Sequence, residues 1–185
     1  RTHQRGTLMA RSPATHAVKL MPVLYLCSGV ALIIVNVVAA QVIGNEAEMD
    51  RLLGKAEEAM ANDDPEGAAM SMGRAALMAK LLAKTHQEDV SAVHLFQSAE
   101  TLFRSQELGY RAMALFRRAG GQLPASSGVC GSLSLAHSSV QQTVSALDHK
   151  ENAPGPLAAK TIQIREAATD WVTVIDSMIA DYQCQ

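Results

Sequence analysis

At 185 residues the chain is long enough for one domain and a segment outside it. Apolar residues make up 48% and aromatics only 4%; the apolar share is mostly Ala, Leu, Val and Met, a mix that favours helices and argues against a sheet protein. The formal net charge of −2 hides an asymmetry: every charge in the first 45 residues is positive (Arg1, Arg5, Arg11, Lys19), while the remainder carries 18 acids against 12 bases. A mildly acidic body argues against nonspecific nucleic-acid binding, which works by neutralising phosphates, so no nucleic-acid partner is expected.

The N-terminal region, 1–45, reads as a basic stretch followed by a signal peptide or membrane anchor. No residue from Leu20 to Asn45 is charged, and its heart is "VLYLCSGVALIIVNVVAA", Val23 to Ala40. Bases precede it and acids (Glu46, Glu48, Asp50) follow, the order that keeps the N-terminus in the cytoplasm and exports the body. Cleavage is one reading, with Val38 and Ala40 three and one residues before the cut. A retained single span is the other, since about 20 apolar residues cross a bilayer. Pro22, Asn36 and Gln41 weigh against a permanent span. The expected location is the periplasm, or the inner membrane with the body outside the cytoplasm.

The body, 46–185, reads as helices throughout. Met49, Leu52, Leu53, Ala56 and Met60 follow the three-four spacing of one face, which predicts a first helix over Glu46 to Ala61. "NDDPEG" ends it, and Asp64 with Pro65 suits the cap and first turn of a second helix, about Pro65 to Lys84. "THQED" breaks the chain before a third helix, about Val90 to Gln106. "QELGY" reads as a turn into a fourth, about Gly109 to Ala119, closed by "GGQLPASSG". Leu133, Ala136, Val140, Val144 and Leu147 form an apolar stripe on a helix of about Cys130 to His149. After "ENAPGP", the final helix sets Leu157, Thr161, Ile164, Ala168, Trp171, Ile175, Met178 and Tyr182 at alternating steps of four and three, a heptad seam. The last two helices therefore predict a long antiparallel hairpin over 130–182, and the seam also suits a homodimer. No segment alternates with period two, so no sheet is expected.

Export frames the cysteines. Cys27 lies in the apolar segment, which leaves Cys130 and Cys184, an even number in an oxidising compartment. A bridge between them would tie the C-terminal tail back to the start of the hairpin; two free thiols is the alternative.

The stretch 90–124 resembles a tetratricopeptide unit. Phe96, Ala99, Phe103, Ala112, Phe116, Ala119 and Pro124 fall at the spacings of that family's large, small and proline positions, with Gly109 at the bend. Leu53, Gly54, Ala68, Met72 and Ala75 carry a second such hairpin over 46–84. The resemblance implies an all-α fold of antiparallel hairpins with small residues at close helix approaches, Phe116 between hairpins, and a concave groove that binds a protein partner. Asn62, His94, Gln97 and Arg104 would line that groove.

Other chemistry has a plainer explanation at each place. Met70, Met72 and Met78, near Met49, Met60 and His86, have the softness of a copper site, but Met is also a flexible core filler. His86 and His94, eight residues apart, lack the spacing of zinc ligands on a helix, and no metal or cofactor is expected. Asp63, Asp64 and Glu66 lack the pattern of a calcium loop and are explained by capping. Arg104, Arg111, Arg117 and Arg118 with Tyr110 form a basic cluster that grips an acidic partner, or else a solvated face paired with Glu100 and Glu107. No nucleophile motif or phosphate loop occurs, and no enzyme is expected. The reading is a non-catalytic, exported interaction or scaffold module, with Gln97, Arg104, Arg111 and Arg118 as partner-binding residues. The alternative is a periplasmic helix bundle that senses or carries a small ligand or metal.

Overall fold

The structure is a computed structural model that describes residues 46–148 and 156–184. The N-terminal region 1–45, with Cys27 and the apolar segment read above as a signal or anchor, lies outside them, as do His149 and most of the "ENAPGP" turn. Among the described residues the chain is all-α: five helices and no strand. They are α1 (46–61), α2 (Pro65–Thr85), α3 (Val90–Arg118), α4 (Ser127–Asp148) and α5 (Pro156–Asp181).

Each break has a local cause. Asp64 caps α2 by accepting from the Gly67 N–H at 2.9 Å, and Pro65 occupies its first turn, where the missing N–H costs nothing. Asp89 caps α3, accepting from the N–H groups of Ser91 and Ala92 at 2.9 and 3.1 Å. After α3 the chain turns through Gly120 and Gly121 at φ of +79° and +66°, the left-handed region that only glycine enters cheaply. The Gly121 N–H returns to the Phe116 carbonyl at 3.0 Å.

The expected turn at "QELGY" is absent. Residues 90–118 form one helix of 29 residues, about 43 Å long at ~1.5 Å per residue, so the hairpin expected over 90–124 does not exist. Gly109 serves another purpose. It is buried on α3 against the Trp171 ring of α5; a Cβ at 109 would lie 2.7 Å from Trp171 Cζ2. The glycine lets two helices approach at a large aromatic, rather than bending one. Ala119, expected at a close helix contact, is exposed, while Ala112 is fully buried. Phe116 stacks on Tyr182 with ring centroids 4.0 Å apart.

α3 is the central element. α2 packs on it, α4 packs on it, and α5 packs on both α3 and α4. Small residues allow this: Ala68, Ala75, Ala76 and Ala79 of α2, and Ala99 and Ala112 of α3, are at most 1% exposed. Leu82, Leu102, Leu133, Val140 and Ile175 fill the space between. Met49, Leu52 and Ala56 of α1 join the same core. One buried polar bond is built in, from Ser105 Oγ to the Ala136 carbonyl at 2.7 Å, linking α3 to α4.

α4 and α5 lie antiparallel, as the contacts Cys130 with Cys184 and His137 with Asp176 require. Of the α5 seam, Ala168, Trp171, Ile175 and Met178 are buried. These four positions of the seam thus pack within the chain, while Leu157, Thr161, Ile164 and Tyr182 are half-buried. A disulfide joins Cys130 to Cys184 across 54 residues of sequence, and the Ala125 N–H donates to the Tyr182 carbonyl beside it at 2.9 Å.

Candidate functional site

Because α3 is continuous, it gathers residues that two helices would have separated. Gln97, Arg104, Arg111 and Arg118 are seven residues apart, so they run along one side of one helix. Glu100 and Glu107 stand on the same side, facing α2. His94, expected with Gln97 and Arg104 in a concave groove, is exposed at the far end of α3, and Asn62 is exposed on the α1–α2 turn. Neither of these two lines the groove beside the arginines described below.

Pairing along this row is uneven. Glu107 is 7% exposed and is gripped from both sides, by Arg104 Nη1 at 2.8 Å and Arg111 Nη2 at 2.5 Å. It has room because its neighbour on α2 is Gly73; a Cβ there would meet the Glu107 carboxyl at 3.0 Å. One carboxylate between two guanidinium groups leaves one positive charge in excess. Arg118 meets Glu66 of α2 at 3.2 Å in an exposed pair, and such pairs contribute only about 0–1 kcal/mol. Glu100 pairs with Lys80 of α2 at 3.7 Å, rather than with an arginine. Arg117 turns away to the α1–α2 corner, where it holds Asp63, a residue with φ of +61°, through the carboxylate at 2.6 Å and the carbonyl at 3.0 Å.

Between the arginines and α2 lies a groove of about 330 Å³, lined by Glu66, Ala69 and Met70 from α2 and Arg111, Leu115 and Arg118 from α3. Met70 is 59% exposed and Leu115 42%. The apolar line continues along α2 through Leu77 and Leu81, 51% and 40% exposed, at steps of seven and four from Met70. The exposed Val90, Leu123, Leu135, Ile162 and Val174 stand on other elements or faces. Sequence reasoning named the arginines but missed this apolar line. The signal was there: α2 buries alanines and still carries Met and Leu off that face, so it is apolar on more than one side.

Charge separates this face from the rest of the body. Lys80 and Lys84 of α2 and the three arginines of the α3 row give five bases, against the three acids Glu66, Glu100 and Glu107. With 18 acids and 12 bases after residue 45, that leaves 15 acids and 7 bases elsewhere.

Two other concavities differ in character. One of about 420 Å³ lies along α4 and α5 beside the disulfide, lined by Ser134, His137 and Ile179; His137 Nε2 meets Asp176 Oδ1 at 3.0 Å. The other is a pit of about 40 Å³ among Met49, Leu53, Phe96, Phe103 and Ile164, roofed by Lys160, room for about one water. Lys160 is itself held by Glu46 of α1. Met70 stands in solvent while Met72 is in the core, and His86 is held on the Leu82 carbonyl at 2.9 Å with its ring against Phe96. Among the described residues no group of three or more His, Cys, Asp or Glu side chains is placed to hold a metal ion. Among them, too, no helix is long and apolar enough to cross a membrane. Comparison with protein-family models, with curated proteins and with solved structures gave no match.

Proposed function

We propose that the chain is a non-catalytic helical interaction module whose binding surface is the α2–α3 face. The observation that carries the reading is the line Met70, Leu77, Leu81 and Leu115, exposed beside a groove and a row of arginines. Core packing does not explain these side chains, since the alanines of α2 already serve the core. An exposed apolar line at helical spacing with charged edges has the composition of a protein-binding surface. Gln97, Arg104, Arg111 and Arg118 form its polar edge. The Cys130–Cys184 disulfide supports a place of work outside the cytoplasm, where such bonds persist, with the apolar segment 20–45 as signal or anchor.

The proposal does not use a tetratricopeptide groove, because the stretch most like that family is a single helix. The carrier alternative has less support. Small-ligand sites have volumes of about 300–1,000 Å³, are mostly apolar and bury most of the ligand; the apolar pit is about 40 Å³, and the two spaces of about 330 and 420 Å³ are open surface grooves with charged or polar side chains in their lining.

Affinity capture from the native envelope with the full chain tests the reading. A stoichiometric protein held by the wild type and lost with Leu77→Glu, at unchanged helix content, is the expected result. Equal capture by both chains would move the binding surface elsewhere.

A further inference from the structure

We propose that the partner element on this face is an amphipathic helix with an apolar seam flanked by Asp and Glu, laid lengthwise along α2 and α3. This rests on the interaction reading above and adds the chemistry of the occupant. Three features point to it. The first is periodicity. Met70, Leu77 and Leu81 follow steps of seven and four, the spacing at which one helix offers a seam to another. The second is length. From Met70 to Leu81 is about 16 Å, and from Gln97 to Arg118 about 31 Å, at ~1.5 Å per residue. A partner helix of roughly three to six turns matches that track. The third is charge. Five bases against three acids edge the seam on a body that is otherwise strongly acidic.

Other occupants fit less well. A symmetric pairing of this face with its own copy would set the arginine rows against each other, and like charges across an interface are costly. A membrane surface suits the bases but not the acids. Glu66 and Glu100 are set within the basic track, where a plane of anionic headgroups meets them as like charges. A helix avoids them by register, placing its own acids opposite Arg111, Arg118 and Lys84. The pairing of Arg104 and Arg111 on one buried carboxylate helps, because it holds both guanidinium groups in place before any partner arrives.

The test uses the full chain in non-ionic detergent and two fluorescent designed helices with one leucine seam, flanked by Glu in one and by Lys in the other. The Glu-flanked helix is expected to bind about tenfold more tightly at low salt, with the difference shrinking as salt rises. The double variant Arg111→Glu with Arg118→Glu should invert the preference, and Leu77→Glu should weaken both helices about tenfold or more. Met70 gives a second readout: the Glu-flanked helix should slow its oxidation by peroxide. Equal affinity of the two helices, or a preference untouched by the double arginine variant, overturns the proposal. Protection of Met70 by phosphatidylglycerol vesicles carrying the chain, but not by phosphatidylcholine vesicles, also overturns it and assigns the face to lipid. If Leu77→Glu abolishes native capture while the two helices bind alike, the interaction reading stands and the acidic helix alone fails.

Discussion

Substituting Gly109 by alanine separates two physical accounts of α3. Helix propensity alone predicts stabilisation, since alanine is favoured over glycine inside a helix by about 1 kcal/mol. The packing predicts the reverse. The new Cβ would stand 2.7, 3.5 and 3.6 Å from three atoms of the Trp171 ring. That ring is rigid, 6% exposed, and set against Tyr110 with centroids 5.1 Å apart, so it cannot swing aside as a flexible chain end would. Overpacking of this kind costs about 1–3 kcal/mol, and the severity of the contact places it near the upper end, for a net loss of about 2 kcal/mol. Gly54→Ala is the internal control. No atom lies within 4 Å of a Cβ there, so it should gain about 0.5–1 kcal/mol. Urea unfolding of the full chain reads both variants through its one tryptophan, which is Trp171 itself. If Gly109→Ala were as stabilising as Gly54→Ala, the close approach of α3 to α5 at this point would be refuted.

Replacing Cys130 and Cys184 by serine removes a link across 54 residues, and the chain-entropy argument gives a loss of about 4 kcal/mol, measured as the shift in urea midpoint against the oxidised wild type. Ser105→Ala leaves the Ala136 carbonyl without its buried donor and should cost about 1–2 kcal/mol in the same assay. Glu107→Gln removes the charge held between Arg104 and Arg111 and should cost roughly 1 kcal/mol, with salt reducing the difference from wild type. Burial, followed by the Glu57 carboxylate, holds the Tyr110 phenol above its ordinary value of 10.0. Burial also raises Tyr182, with Arg117 opposing and Asp181 adding to the rise. A raised folded value keeps this contribution to stability whole below the ordinary phenol range and removes it as pH rises through the raised value. Thermal midpoints should therefore fall as pH rises above about 10, less steeply in Tyr110→Phe.

Much of the fold was legible because local rules act within a few residues. Asp64 with Pro65, and the glycine pair after Arg118, are breaks of this kind, and the three-four spacing of the α5 seam marks the side that packs. Gly109 was misread for a reason of the same physics. A glycine between charged and aromatic residues has the composition of a turn, and only the partner across the interface, Trp171 some 60 residues later, shows that it serves a close approach. Once that turn is removed, the regular spacing of Gln97, Arg104, Arg111 and Arg118 becomes a row. The apolar half of the face was harder to see. Met70 reads as a core filler like Met72, and Leu77 and Leu81 attract no reading of their own, until the alanines beside them are found to fill the core. Ion-pair choice was legible in part: Glu107 pairs with the arginine cluster as expected, taking two of them, while Glu100 reaches across to Lys80 instead.

The central claim, that the α2–α3 face receives a protein partner, is tested most directly by photo-crosslinking in living cells. A benzophenone side chain placed at Leu77, and separately at Leu115, should each trap the same discrete adduct. The same group at Leu135, equally exposed but on α4, should trap none. Adducts at Leu135 as strong as those at Leu77, or a Leu77 position that traps nothing where Leu135 does, would contradict the account.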